Sequence, residues 1–499
     1  MHIGFEKALL NLAFCMAQLG TRFSIFEVKN MRPALPLLCT LVLLVFCSGI
    51  SAQEYVGKKK MVEDLQAMNR FIQLHHPSPF YTRDSLEIQA FAERQIQELP
   101  DSLSLEDFWR VCYRMITYYN DAHTRMTYTS FYTDYAKSGG LVLPILGRFA
   151  SDKLILTKDM RDEPTLRAGT EIRSINGQSV SELWGAMELM NRGETEEVDR
   201  LRVNQNLPYY FWLAYGGSDT YSLTLADGQE VVLRGIPLSE LSRRKGKIEV
   251  PEEIVHVRYP NDSVAVLYIR NFYHASKKYY KKSFDAVFKE LRDKPQVKYL
   301  LIDNRFNDGG DNLFAEYLCR YFADQPFRSV ARSYWYVSPQ FKYVFKKSFI
   351  PGAVAWIRPL YAFNPHTRAI WRAEEGELAE VPQKMETPFP DRKQFQGEVI
   401  MMNDVGTFSA GSMFAAMFKD FDMGLTIGRP TGNISSFYAN NIMRTRLPHS
   451  KLRFEVSTSY QVRPNGDESL RAIQPDVYVP EGTNILDFTL EYISERSAK

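Results

Sequence analysis

Between residues 250 and 490 short apolar runs of strand length alternate with amphipathic runs of helix length, and this order is the strongest constraint on the fold. Val264 to Ile269, Tyr299 to Ile302 and Glu398 to Met402 read as strands. Phe284 to Leu291, Leu313 to Phe322 and Ala410 to Phe418 read as helices. A repeated strand, turn and helix implies an α/β core. Two of the turns, after Ile302 and after Met402, lie just past the carboxyl ends of strands, where open α/β sheets place their ligands.

The rest of the chain has different textures. Residues 54–135 read as helical, with apolar residues at three- and four-residue intervals from Met61 to Leu74 and from Leu86 to Leu99. His75-His76-Pro77-Ser78-Pro79 breaks the two. Paired histidines raise a metal reading, but no third ligand follows at helical spacing, so the phrase reads as a helix end. Residues 140–240 read as short strands, at Leu154 to Leu156, Glu171 to Ile175 and Tyr221 to Leu225. There the phrase from Gly169 to Val180, with its Asn176-Gly177 turn, looks like the core of a PDZ domain, whose groove takes a peptide as an added strand. The expected divisions are a leader and signal peptide over 1–52, a helical region over 53–138, a PDZ-like domain over 139–245 and an α/β core over 246–499.

Composition narrows the class. Of 499 residues 45% are hydrophobic and 24% charged, which excludes a largely disordered chain. Lys and Arg total 61 against 59 Asp and Glu, with no basic tract, so nothing electrostatic suggests a nucleic-acid partner. A single long apolar run excludes a polytopic membrane protein. That run, Leu37 to Phe46, follows Met31-Arg32-Pro33 and precedes Ser51-Ala52, which together have the three parts of a secretory signal. Cleavage is expected after Ala52 and the true start at Met31, leaving no stable membrane insertion and an exported protein, periplasmic or extracellular. An uncleaved anchor is the alternative. Beyond the leader only Cys112 and Cys319 remain, in apolar surroundings and outside any CxxC, and both are expected as buried thiols.

The two turns carry the residues suited to chemistry. Met402 runs into Asn403-Asp404-Val405-Gly406-Thr407-Phe408-Ser409-Ala410, placing Ser409 between a strand and a helix. A serine there exposes its hydroxyl, and the Ala410 N–H can stabilise the oxyanion formed when Ser409 attacks a carbonyl. The plainer reading is a helix N-cap, and Ser412 reads as packing inside the helix. The other turn, Asp303-Asn304-Arg305-Phe306-Asn307-Asp308-Gly309-Gly310, lacks the pattern of a phosphate loop but could supply a second oxyanion donor.

Taken with Ile427-Gly428-Arg429-Pro430-Thr431-Gly432 and Ile473-Gln474-Pro475-Asp476, these phrases occur in the order seen in tail-specific (carboxyl-terminal processing) serine proteases, which the chain resembles from about residue 60 to 490. The resemblance implies a ClpP/crotonase-like α/β core with a PDZ-like β-rich domain and an N-terminal helical region. One branch of that family uses a lysine base about 25 residues past the serine. Here that position is Ile434, and Lys419 is the only lysine between Ser409 and Lys451. The tricorn-like branch uses His and Glu. Its Asp-Gly-His-Thr phrase matches Asp121-Ala122-His123-Thr124 apart from Ala122, and its glutamate position corresponds to Glu468.

The resemblance therefore implies Ser409 as nucleophile, His123 as general base and Glu468 as the acid that orients it. Gly310 or Gly309 would join Ala410 as backbone donors to the oxyanion. Asp467 and Glu455 are the reserve acids, and Asp121 and Asp476 read as turn-forming. The chemistry needs no cofactor and no metal. The expected protein is an exported serine endopeptidase that forms an acyl-enzyme on polypeptide substrates presented by the PDZ-like domain, its oligomeric state left open. The alternative is a catalytically inactive peptide-binding protein that keeps the fold, for which Ala122 and Asp308, at positions where the family often has Gly, leave room. A carboxylate-pair glycosidase has no pair singled out to support it.

Overall fold

Three helices open the described part of the chain: α1 (Lys58–His75), α2 (Ser85–Gln97) and α3 (Leu105–Thr117). The computed structural model describes residues 55–127, 130–191, 193–246, 253–273, 276–349 and 364–497. The leader and signal peptide, with the Ala52 cleavage site, lie outside these residues. Helices α1 and α2 are the two expected from periodicity. The third starts on Ser104, whose hydroxyl accepts the Asp107 N–H, and buries Phe108, Cys112 and Met115 against Met61, Leu65 and Met68 of α1. The chain then turns through Asn120, at φ 56°, into β1 (Arg125–Met126).

The β-rich region follows. Strands β2 (Ile145–Ala150), β3 (Lys153–Asp159) and β4 (Glu171–Ile175) lead to helices α4 (Val180–Glu188), α5 (Glu196–Gln205) and α6 (Leu207–Tyr215). Strands β5 (Thr220–Leu225) and β6 (Glu230–Arg234) complete an antiparallel sheet of order β6-β5-β4-β3-β2. The Asn176-Gly177 turn has φ of 52° and 78°, the left-handed pair that a tight hairpin requires. Helix α4 then opens on a capping box between Ser179 and Glu182. These elements form the β-rich stretch expected between the helical region and the core.

The α/β core is built on β7 (Val255–Asn261), β8 (Val264–Ile269), α7 (Lys277–Arg292), β9 (Tyr299–Asp303) and α8 (Asn312–Cys319). Beyond β9 and α8 come β10 (Arg332–Tyr336), β11 (Leu378–Val381), β12 (Glu398–Asn403), α9 (Ala410–Asp420) and β13 (Leu425–Gly428). Strands β14 (Phe437–Ala439), β15 (Met443–Arg446), β16 (Arg453–Val456), β17 (Ser459–Val462) and β18 (Val477–Tyr478) precede the last helix, α10 (Ile485–Ser497).

The main sheet has the order β7-β8-β9-β12-β13-β18 and is parallel from β8 onward. Alternation along the strands sends Leu300, Ile302, Val399 and Met401 to one face, where Phe288, Phe314 and Phe414 of α7, α8 and α9 cover them. Leu301, Ile400 and Met402 face the other way, onto Ile485 and Ile493 of α10. Strands buried on both faces explain why β8, β9 and β12 were legible as apolar runs.

Two smaller antiparallel sheets have the orders β11-β10-β17-β14 and β15-β16-β1, and two two-stranded pairings lie outside them. The described residues of 325–395 contribute β10 and β11, with Trp335 packed against Phe341 and Phe345. Cys112 and Cys319 are both free and buried. Among the described residues no helix is long and apolar enough to cross a membrane.

One buried charge ties the N-terminal helices to this frame. Asp64 of α1 is fully buried, and its two carboxylate oxygens accept the N–H groups of His449 and Ser450, each at 2.8 Å. Asp64→Ala leaves both donors unpaired in the interior, at about 1–3 kcal/mol each. Urea unfolding is expected to register that loss, with Asp64→Asn, which keeps one acceptor, falling between the variant and the parent.

Candidate active site

Ser409 stands at the junction of β12 and α9 with φ 54° and ψ −120°, a region that residues with a side chain rarely adopt. Its hydroxyl makes no cap hydrogen bond to the helix it precedes, so the N-cap reading does not describe it. The conformation is held from three sides. Asn433 Oδ1 accepts both the Ser409 N–H and the Ser412 hydroxyl, each at 2.8 Å. Phe408 donates its N–H to Asn307 O at 2.9 Å. Gly309, at φ 101°, comes so close that an added Cβ would sit 2.7 Å from Ser409 Cβ.

The two turns are stitched together throughout. Asn304 Nδ2 donates to Asn403 Oδ1 at 2.9 Å and to Gly411 O at 3.0 Å, and Thr407 Oγ1 donates to Asn304 O at 2.7 Å. Asp303 and Arg305 form a buried two-pronged ion pair at 2.8 and 2.7 Å that fixes the start of the Gly-Gly turn. Among the three backbone donors expected for an oxyanion, the Gly309 N–H is already given to Asn307 Oδ1 at 3.1 Å. Among the described residues the Gly310 and Ala410 N–H groups have no acceptor.

His123 reaches the same place from the other end of the sequence. Its ring lies between Phe408, at 4.8 Å between centroids, and Phe437, at 5.1 Å and nearly parallel. Phe408 is the residue before Ser409, so the imidazole packs against the Ser409 turn. Both His123 and Ser409 line a cavity of about 1040 Å³, together with Arg125, Arg305 and Asp308. Ala122 is not among the residues of positive φ, so this loop does not require the glycine that the family often has there.

Asp121 organises the histidine loop as more than a turn residue. Its Oδ1 accepts the His123 N–H at 3.0 Å, and its Oδ2 accepts the Thr124 N–H at 3.1 Å and meets His76 Nε2 at 3.0 Å. Burial would raise this carboxyl. The hydrogen bond and charge of His76, with the charge of His123, outweigh it and hold the group well below the usual range. His75 and His76 serve packing and this network, His75 Nδ1 lying 2.8 Å from Ser338 Oγ. Among the described residues no group of three or more His, Cys, Asp or Glu side chains is arranged to hold a metal ion.

Glu468 is placed elsewhere. It pairs with Arg332 on β10, both side chains nearly half exposed, and it is not among the residues lining the cavity. Its charge and hydrogen bond are felt by Tyr460. The structure thus brings Ser409, His123, Gly310 and Ala410 together and leaves Glu468 on the neighbouring surface. Asp467 binds Ser469, and Glu455 pairs with Arg125 at 2.7 Å and Arg444 at 3.0 Å. Lys419 Nζ, at the far end of α9, is held by Asp476 and Gln474 O.

The sequence reading missed Glu194. This buried carboxyl, between α4 and α5, accepts the Ala122 N–H at 3.1 Å and the Ile434 N–H at 3.0 Å. One side chain therefore joins the histidine loop to the segment whose Asn433 holds Ser409. Helix α5 adds Arg202, which donates to Gly432 O at 2.7 Å, and Gln205, which donates to Asp404 at 3.0 Å.

Burial, reinforced by the Asp121 charge, pushes the Glu194 carboxyl up to about 8, against the two N–H groups that favour its charged form. The folded protein then holds this proton more tightly than the unfolded chain does. Stability from this group is fully present below the ordinary value of 4.5 and is lost as pH rises through about 8. Glu194→Gln removes the titration and sets an amide N–H₂ against a backbone donor, costing about 1–3 kcal/mol at pH 5. Urea unfolding of both proteins from pH 4 to pH 9 is expected to show the gap narrowing as pH rises. A constant gap would mean that Glu194 does not take up its proton in this range.

No curated protein matches the sequence. Residues 263–479 match Peptidase family S41. Among solved structures, the crystal structure of a CPAF mutant is 15% identical with a TM-score of 0.59, covering 88% of this chain and 96% of that one. Mature CPAF complexed with lactacystin is 15% identical with a TM-score of 0.56, covering 88% and 97%. At such identities the likeness is one of fold, and it spans helical region, β-rich region and core alike. The match over residues 263–479 to Peptidase family S41 supports a serine-type peptidase, and the chain shares its fold with CPAF.

Proposed function

We propose that the protein is an exported endopeptidase in which Ser409 attacks the peptide carbonyl and His123 serves as its base. The observation that carries this reading is the strained Ser409 beside a histidine packed on the adjoining Phe408, both opening on one cavity. His123 takes the Ser409 proton as Oγ bonds to the carbonyl carbon, and the carbonyl oxygen becomes an oxyanion. The Gly310 N–H, in the turn after β9, and the Ala410 N–H, at the start of α9, receive that charge. When the C–N bond breaks, His123 returns the proton to the leaving amine. Water then repeats the sequence on the acyl-enzyme and releases Ser409. Each step needs the neutral imidazole first, so turnover falls as His123 becomes protonated.

Glu468 completes this scheme as the acid that fixes the imidazole tautomer, in an arrangement where it leaves Arg332. The PDZ-like region presents the polypeptide, with its Asn176-Gly177 turn and α4 framing the groove. Export rests on the signal-like segment before Gln53, and an inactive peptide-binding protein is the competing reading.

Three measurements separate these. A fluorophosphonate probe is expected to label the mature protein but not Ser409→Ala, and labelling of neither supports the binding protein. Glu468→Gln is expected to lower kcat about a hundredfold or more with little change in KM, while Arg332→Gln, which frees the acid, keeps or raises kcat. Unchanged turnover in both variants removes Glu468 from the scheme and turns attention to Asp121→Asn. Protein recovered from an export-competent host is expected to begin at Gln53, and an intact leader would count against export.

A further inference from the structure

A second cleft, of about 870 Å³, adjoins the first, and Arg125 and Tyr209 line both. One wall is aromatic, including Trp109, Tyr132 and Trp212. The other is the sheet β15-β16-β1, and its register fixes an uneven row of charges. Arg444, Glu455 and Arg125 lie side by side across the three strands, and Glu455 pairs with both arginines. Two residues along the same face, Arg446 stands directly opposite Arg453.

Like charges directly opposite one another on antiparallel strands are destabilising. Both of these arginines are exposed on the cleft, and among the described residues neither has an ion-pair partner. With one carboxylate against four arginines, this wall carries a net positive charge beside aromatic faces. The chain is otherwise balanced in charge, with 61 basic and 59 acidic residues, so the excess is local rather than a reflection of composition.

We propose that this cleft seats an acidic, extended stretch of the polypeptide substrate, whose Asp or Glu side chains pair with Arg446 and Arg453. The proposal rests on the peptidase reading of the neighbouring cavity and gives it a substrate class. A peptide held here continues past Arg125 and Tyr209 into the cavity that holds Ser409 and His123. The aromatic wall receives apolar neighbours of the acidic residues, and Glu455 screens Arg125 and Arg444, leaving the distal pair as the selective element.

The test reads binding and cleavage separately. Fluorescence anisotropy with the mature Ser409→Ala protein compares a labelled acidic peptide with its Gln/Asn isostere, both amidated at the C-terminus so that only side chains supply carboxylates. The acidic peptide is expected to bind about five- to tenfold more tightly, with the preference fading in high salt and absent in Arg446→Gln/Arg453→Gln. That double variant removes the like-charge pair and is expected to melt no lower than the parent. In the active protein it is expected to raise KM for a peptide bearing the acidic run, leave kcat unchanged, and leave a short neutral peptide unaffected. Equal affinity for the two peptides, or a preference that survives in the double variant, overturns the proposal. Equal competition by a single-stranded oligonucleotide would assign the cleft to phosphate rather than to acidic peptide and also overturns it. Loss of fluorophosphonate labelling would instead strike the hydrolase reading, because anisotropy needs no turnover.

Discussion

The backbone conformation of Ser409 is the constraint on which the site depends. A side-chain-bearing residue at φ 54° and ψ −120° costs about 1–3 kcal/mol, and it persists because its neighbours leave no alternative. Asn433 holds its N–H from one side, and Gly309 and Gly411 let the two turns approach within contact. A Cβ on Gly411 would lie 2.4 Å from Asn307 O, so even alanine there would drive the turns apart. In this conformation the hydroxyl makes no cap hydrogen bond to the helix it precedes, and among the described residues the Ala410 N–H has no acceptor. Those two consequences are what a nucleophile and its oxyanion donor need, and they come from one local geometry.

The position of His123 relative to that serine depends on another part of the chain. Asp121 shapes the histidine loop from within, accepting the N–H groups of His123 and Thr124. Glu194 then joins the loop to Ile434, next to the asparagine that holds Ser409. Because Glu194 lies between α4 and α5, the β-rich region is a structural member of the site and not an appendage to it. Arg202 and Gln205 of α5 reinforce the same junction through Gly432 and Asp404. The spacing of Ser409 and His123 is thus set by three segments remote in sequence, meeting through backbone hydrogen bonds to a few buried side chains.

That distinction decides what could be read from the sequence. Strands β8, β9 and β12 are buried on both faces, so their apolar runs gave them away, and the turns after β9 and β12 carried Gly and Ser in a recognisable order. The Asn176-Gly177 hairpin was legible because such a turn requires left-handed φ at both positions. Helix α3 escaped delimitation although Ser104 followed by Asp107 marks its start. Glu194 and Asn433 left no local signal at all. They act by accepting N–H groups from segments up to 240 residues away, and nothing in their own neighbourhoods announces which backbone they will meet. Glu468 illustrates the opposite case: spacing along the chain singled it out, yet spacing does not say which cation it meets in the fold.

The free energies separate the fixed part of this site from the adjustable part. The His123 ring is packed between Phe408 and Phe437, and the loops that carry His123 and Ser409 are pinned by buried hydrogen bonds, so displacing either unmakes several interactions at once. The Arg332–Glu468 pair is different, because both side chains are nearly half exposed. Ion pairs in such settings contribute about 0–1 kcal/mol, since water competes for each partner and ordering two long side chains opposes the attraction. Exchanging Arg332 for another partner therefore costs Glu468 little, whereas moving the imidazole or the hydroxyl would cost much more. In the proposed scheme Ser409, His123 and the Gly310 and Ala410 N–H groups are set by folding, and the orientation of Glu468 is the degree of freedom that a bound substrate adjusts.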